Sequence, residues 1–331
     1  VTAIDISAYV PVPVIDIQVG VEPMDIDLNP NGTLAYVTNF LSNTVSGIGT
    51  DLGVDSTYHK VTKNIPVGYH PYGVAVSSDK KVYVANNESE YVSVIDVDPS
   101  SGGFDHVIAN VKTGSTNRSI VVTPNAGLIL VTGDNGVAII DRDPGSPTFN
   151  DVIARASAGS TTRDVVISPE AALALATTED GVILIIDIYQ PPGTQFGNVI
   201  ASVKTGSSAR NITMSPDAQY VYITNPDDNT VSIYRLDYSI IPGYGASLNN
   251  ALGLEHITTI QVDEKPYAIA SHPSSEYLLI THDSDEGGVS KIAVEEASVD
   301  AIYTLNQLIA SVENALEAGR IPVKYGARLL E

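Results

Sequence analysis

The sequence predicts an all-β fold: a β-propeller of six four-stranded blades, with seven as the alternative, and a short α-helical appendage at the C-terminus. Three observations carry this. A glycine recurs at Gly20, Gly68, Gly114, Gly159 and Gly206, with Asp263 in the sixth place, at intervals of 48, 46, 45, 47 and 57 residues. Each interval contains short segments in which apolar and polar residues alternate with period two, the strand period. Turn residues punctuate each interval at the same places. A period in the forties built of short strands is the signature of propeller blades.

The N-terminal 1–13 reads as an extended segment. Thr2–Ser7 (TAIDIS) resembles a third strand without its partners, and Val14–Val19 (VIDIQV) is expected to be the outer strand of the sixth blade. That pairing would close the ring and remove a pairing-competent edge. The propeller then spans 14–296. Its second unit shows the pattern: Lys63–Val67 as a short extended segment, then strands Tyr72–Ser77, Lys81–Ala85 and Tyr91–Val97. The other units supply Leu34–Asn39, Leu128–Thr132, Ala172–Thr177, Tyr220–Asn225 and Tyr277–Thr281 as second strands. Turns such as Asn29-Pro30-Asn31-Gly32 and Ser215-Pro216-Asp217 precede them. Proline presets the turn dihedral and Asn, Asp or Ser caps it, so these residues are structural.

The C-terminal 297–331 changes period. Ile302, Leu305, Ile309, Val312 and Leu316 are spaced three and four apart, an amphipathic helix of coiled-coil type. Asp300 or Ser298 caps its start and Gly319 its end. It is read either as packed back on the propeller or as an element joining subunits into a homo-oligomer. The start at Val1 and the apolar end at Leu329-Leu330-Glu331 read as a trimmed chain.

Pro216–Asn225 (PDAQYVYITN) and Leu34–Asn39 (LAYVTN) resemble the YVTN-type β-propeller repeat found in surface-layer and other exported proteins of archaea and bacteria. The resemblance covers roughly residues 14–296. It implies an extracellular or cell-surface location, with the periplasm as the alternative. It also implies a structural or protein-interaction role, although related propellers include lactonases and lyases. The middle units depart from the motif: Val131-Thr132-Gly133 and Ala176-Thr177-Thr178 replace the Thr-Asn ending.

Composition narrows the function. The chain of 331 residues carries 39 acidic and 17 basic side chains, a net charge of −22. That argues against nucleic acid and anionic membrane surfaces, which require a basic footprint. There is no cysteine, which excludes thiol catalysis, thiolate zinc sites and disulfides. The longest uninterrupted apolar run, Val182–Ile186, falls far short of the roughly 20 residues of a membrane span.

Four residues after each aligned position stand Met24, Tyr72, Arg118, Arg163, Arg210 and Tyr267. This register position joins the inter-blade loop to the innermost strand, at the expected mouth of the channel. Fork-like guanidinium donors suit a carboxylate or phosphate, so Arg118, Arg163 and Arg210, flanked by Tyr72 and Tyr267, are candidate anion-binding residues. The alternative is that each arginine bonds loop carbonyls or a neighbouring carboxylate. Asp25, Asp27 and Asp164 are the acidic residues that the register turns inward, and hydrogen-bonded strand positions account for them. The loops after the second strands form an acidic rim. Of these, His282-Asp283-Ser284-Asp285-Glu286 is the best metal candidate, with His282, Asp283, Asp285 and Glu286 as ligands, calcium being the cation that oxygen-rich loops suit. No EF-hand, P-loop or nucleophile elbow is present, and no catalytic residue is assigned. The sequence is therefore read as a non-catalytic, exported interaction module without a required cofactor. Its alternative is a lactonase- or lyase-like enzyme, or an anion-binding propeller, using the arginines. The long Tyr238–His256 insertion reads as a lid or contact loop.

Overall fold

A computed structural model describes residues 1–5, 11–54, 56–157, 159–189, 195–236, 253–263, 265–283 and 288–294. Over these residues the chain is a six-bladed β-propeller, and none of them is helical. The expected helix in 297–331 and most of the 238–256 insertion lie outside the described residues.

The chain opens with Thr2–Asp5 (β1) and Val12–Asp16 (β2), a two-stranded sheet. Blade 1 follows as Pro23–Leu28 (β3), Leu34–Asn39 (β4), Thr44–Gly49 (β5) and Val61–Pro66 (β6). Blade 2 is Pro71–Val76 (β7), Lys81–Asn86 (β8), Tyr91–Asp96 (β9) and His106–Lys112 (β10). Blade 3 is Ile120–Val122 (β11), Leu128–Gly133 (β12), Gly136–Asp141 (β13) and Val152–Ala156 (β14). Thr162–Ile167 (β15), Leu173–Thr178 (β16), Val182–Asp187 (β17) and Val199–Lys204 (β18) form blade 4. Ile212–Met214 (β19), Tyr220–Asn225 (β20), Thr230–Leu236 (β21) and Leu254–Gln261 (β22) form blade 5. Blade 6 shows three described strands, Pro266–Ser271 (β23), Tyr277–His282 (β24) and Val289–Ala293 (β25). Every sheet pairs its strands in chain order.

The expected closure by Val14–Val19 is not what forms. β2 pairs with β1, held by Ile17 N to Val1 O at 2.7 Å and by Thr2 Oγ1 to Asp16 Oδ1 at 2.7 Å. The reason lies in the register. β2 ends just before Gly20 as β6 ends just before Gly68, so it is the fourth strand of its own unit and takes that unit's third strand as partner.

Two compact units can be distinguished. One holds Val1–Ile4, Pro13–Ala176 and Ile186–Val199; the other holds Asp5–Val12, Thr177–Ile185 and Ile200–Glu331. In the first, blade faces bury their apolar residues against each other. Tyr83, Val92 and Val94 of blade 2 pack with Ile120, Ile129 and Val131 of blade 3. In the second, Tyr222, Val231 and Ile260 pack with Ile269, Leu278 and Ile292. The apolar residue six places after each aligned position is buried in blades 2 to 6, as Val74, Ile120, Val165, Ile212 and Ile269, but Ile26 of blade 1 is 50% exposed.

The Thr-Asn motif is a polar lock within and between blades. Asn39 Nδ2 donates to Ser46 Oγ at 2.9 Å, and Ser46 Oγ donates to Asn64 Oδ1 at 2.6 Å, so one ladder crosses three strands. Asn86–Ser93–Asn110 and Asn225–Ser232–Thr259 repeat it. The aligned glycines fit this lock. A Cβ on Gly20 would lie 2.6 Å from Asn39 Cβ, and one on Gly68 2.6 Å from Asn86 Cγ. Blades 3 and 4 lack the motif asparagine. There Gly114 and Gly159 meet nothing within 4 Å and instead adopt φ of +69° and +74°, where glycine is favoured.

Candidate active site

The motif threonines build the register position that carries the arginines. Thr38 Oγ1 accepts the Asp25 N–H at 3.0 Å and donates to the Tyr72 carbonyl of the next blade at 2.7 Å. Thr132 does the same between the Ser119 N–H, at 2.9 Å, and the Arg163 carbonyl, at 3.0 Å. In the second unit Thr177 donates to Arg210 O at 2.9 Å and Thr224 to Tyr267 O at 3.0 Å. Thr38, Thr132, Thr177 and Thr224 are all fully buried, so a hydroxyl at this place must find partners, and the backbone beside each candidate ligand supplies them. Sequence reasoning treated this threonine as part of a fold motif; its repetition beside the arginine register was the available signal.

Within the first unit the starts of four consecutive first strands lie side by side. Gly73 needs its missing side chain here, because a Cβ would stand 2.4 Å from the Arg118 carbonyl. The first strands that carry Asp25, Tyr72, Arg118 and Arg163-Asp164 are therefore successive neighbours. Arg118 and Arg163 are half-buried. Arg118 Nη2 lies 3.7 Å from Asp134 Oδ1 of its own blade, a loose pair with both partners partly solvated, so it contributes little to stability and leaves the guanidinium available. Arg210 belongs to the second unit, where its guanidinium carbon stands 3.6 Å from the centre of the Tyr267 ring. That cation–π contact holds the planar group flat against the tyrosine face. The structure thus sets Tyr72, Arg118 and Arg163 at the starts of neighbouring first strands in one unit and pairs Arg210 with Tyr267 in the other.

Asp25 and Asp27 are hydrogen-bonded strand residues, and their bonds reach the next blade. Asp25 Oδ2 accepts the Val74 N–H of the next blade at 2.9 Å, and its Oδ1 accepts Ile26 N–H at 2.9 Å. Asp27 repeats the arrangement one step along, with Val76 at 2.7 Å and Leu28 at 2.8 Å. Asn211, at the register of Asp25 in blade 5, uses Oδ1 on the Ile269 N–H at 2.9 Å. Asp25 is half-buried, and the protein packed around its carboxyl pushes its pKa up to about 7. The Val74 and Ile26 N–H groups oppose the shift, and the charges of Asp164 and Asp27 add to it. Burial also raises Asp27. A carboxyl that titrates near pH 7 and is charge-coupled to a second carboxyl is equipped to move a proton. This pairing of Asp25 with Asp164 was visible in the register, five residues after Gly20 and Gly159. Its protonation was not, because it depends on burial.

The expected metal group is described only in part. His282 Nε2 lies 2.8 Å from Ser290 Oγ, and the Asp283 N–H donates to the Lys265 carbonyl at 2.9 Å. Asp285 and Glu286 lie outside the described residues. His282 occupies the blade 6 place of Asn39, Asn86 and Asn225, and it meets the same third-strand serine.

Comparison with known proteins gives the fold a context. Residues 3–167 match the family model described as lactonase, 7-bladed β-propeller. Among solved structures, a candidate 6-phosphogluconolactonase from Bacteroides fragilis is similar at a TM-score of 0.69 and 15% identity, over 86% of this chain and 83% of that one. A second, from Bacteroides uniformis, gives 0.70 and 16%, over 87% and 85%. A functionally unknown protein from Desulfotomaculum acetoxidans gives 0.67 and 16%, over 85% and 86%. What they share with this chain is the propeller fold. No curated protein matches it in sequence. The matched family is a lactonase propeller, where the motif resemblance pointed to YVTN repeats.

Proposed function

We propose that this propeller is a lactonase-like hydrolase for an anionic substrate, of the class of a phosphorylated or carboxylated sugar lactone. The observation that carries the reading is Asp25, with its pKa raised to about 7 and charge-coupled to Asp164, in the same unit as Arg118 and Arg163 on neighbouring first strands. The lactonase family match over residues 3–167 supports it. Arg118 and Arg163 hold the anionic group or the carbonyl oxygen as it gains charge. The Asp25 carboxylate takes a proton from water as its oxygen bonds to the lactone carbonyl carbon. The ring C–O bond then breaks, and protonated Asp25 returns the proton to the departing ring oxygen, so that lactone and water give the open hydroxy acid.

The test is the initial rate of 6-phosphogluconolactone hydrolysis above the spontaneous rate, for the parent chain, Asp25→Asn and Arg118→Ala/Arg163→Ala. The expected result is turnover by the parent, a kcat lowered roughly 10²- to 10⁴-fold in Asp25→Asn, and a raised KM in the arginine variant. A parent no faster than buffer, with this and with uncharged lactones, rules the reading out. The YVTN-type motif supports a second reading, an exported interaction module outside the cell that assembles with other subunits. That reading expects no turnover and a mass in solution above that of one chain.

A further inference from the structure

We infer that Phe40, His70 and Tyr72 form a specificity wall, which takes the ring of a sugar whose phosphate or carboxylate is held by Arg118 and Arg163. The inference rests on the anionic-substrate reading above and adds which side chains select the rest of the molecule. Tyr72 ties the wall to the site. Its carbonyl accepts from the Thr38 hydroxyl at 2.7 Å, and that hydroxyl also accepts the Asp25 N–H. Two residues on, the Val74 N–H donates to the Asp25 carboxylate at 2.9 Å. Between them Gly73 lies against the Arg118 carbonyl. The Phe40 ring meets Tyr72 edge to face, with centroids 6.4 Å apart and planes at 83°. The His70 ring stacks on Phe40 at 4.3 Å and 11°. All three side chains are half-buried, so part of this aromatic surface is open to a ligand.

The repeat separates what the fold needs from what it does not. Asn43 Oδ1 accepts the His70 N–H at 2.8 Å, and Asn229 Oδ1 accepts the Lys265 N–H at 2.8 Å in the same way. Thr224 likewise bonds the Tyr267 carbonyl as Thr38 bonds that of Tyr72. This second copy of the frame carries Pro226 at the place of Phe40 and Lys265 at the place of His70. The remaining units put Asn87, Asp134, Glu179 and Asp283 at the first place and Glu22, Thr116, Thr161 and Ser208 at the second. The frame therefore forms without either ring. Two rings that occur in one unit boundary alone, in contact with each other and joined to Tyr72, point to a bound molecule. A flat apolar wall near guanidinium donors fits a ring with an anionic substituent. Glu88 favours a hydroxylated ring. Its Oε2 stands 3.0 Å from His70 Nδ1 and its side chain is 61% exposed, so an acceptor borders the stack. A sugar offers C–H groups on its face and hydroxyl donors at its edge.

Binding tests this separately from turnover. Glucose 6-phosphate keeps the ring and the phosphate but has no lactone carbonyl, and inorganic phosphate keeps the anion alone. Titration calorimetry on the parent chain is expected to show glucose 6-phosphate held roughly tenfold or more tighter than phosphate. Phe40→Ala should remove most of that gain and leave phosphate binding as it was. Phe40→Tyr should keep the gain, and Arg118→Ala should weaken both probes. Phe40→Leu retains apolar volume without the flat ring, so it serves if the alanine variant fails to fold, and it too should lose most of the gain. Equal affinity of the parent for the two probes, or a gain that survives loss of the ring, overturns the wall. So does phenyl phosphate held more tightly than glucose 6-phosphate, or a parent that binds neither phosphate probe. The hydrolase reading fails on different data: a parent that shows the ring gain but no lactone turnover keeps the wall and loses the chemistry.

Discussion

Asp25 is held between opposing influences, and its chemistry follows from their balance. Two backbone N–H groups favour the carboxylate, while burial and the nearby negative charges of Asp164 and Asp27 favour the acid, which wins up to about pH 7. Proton transfer by Asp25 then makes kcat/KM rise with pH through about 7, and a pH–rate profile checks this. The same shift has a stability consequence with a definite sign. The native state binds this proton more tightly than the unfolded chain, whose carboxyl has the ordinary pKa of 3.8. The contribution of Asp25 to stability is therefore greatest below about pH 4, declines as pH rises toward 7 and is flat above. Asp25→Asn is expected to fold, since Asn211 occupies the equivalent place in blade 5 and keeps the inter-blade hydrogen bond. Relative to the parent, its urea midpoint should rise between pH 4 and pH 8 while its activity falls. A parallel pair of stability curves would contradict the assigned protonation. Arg118→Lys should raise KM roughly tenfold or more, because a lysine loses the planar fork and up to about 2 kcal/mol of charge-assisted bonding.

At the scale of strands, the threonine and the glycine–asparagine pair do different jobs. Thr38 ties two blades together through one hydroxyl, so Thr38→Val, isosteric but apolar, should cost about 1–3 kcal/mol by leaving the Asp25 N–H and Tyr72 carbonyl without that partner. Thr38→Ser should recover most of it, and thermal unfolding of the two variants separates hydroxyl from shape. Gly68→Ala forces a Cβ against Asn86 and should cost about 1–3 kcal/mol. Shortening Asn86 to Gly in that background, as Gly133 already stands in blade 3, should relieve part of the clash, which a double-mutant cycle measures. The strands were legible in the sequence because period-two alternation and Pro-Asp or Pro-Asn turns are local signals. The partner of Val14–Val19 was not, because pairing is settled by which edge is available, and β1 offered one nearby. The arginine register could be counted along the chain. The hydroxyls that fix it act between blades 31 to 43 residues apart, as Thr132 to Arg163 and Thr224 to Tyr267 do, and no local pattern announces such a bond.

For the molecule as a whole, the net charge of −22 sets a self-repulsion between its surface carboxylates. Added salt from about 0.01 to 1 M shrinks the screening length from roughly 30 Å to 3 Å, so the thermal midpoint should rise with NaCl. A midpoint that falls would mean that attractive pairs such as Arg142–Asp79 dominate. Because blades pack on their neighbours, such changes spread through the array as a sum of local terms. The glycine–asparagine fit has a last consequence, for how a duplicated repeat drifts. While the asparagine stands, any side chain at the glycine meets it; where the asparagine is gone, the glycine meets nothing and adopts a positive φ that favours it. In blade 6 both are gone, replaced by His282 and Asp263. The six copies in this one chain thus hold the glycine with its asparagine, the glycine without it, and neither, side by side.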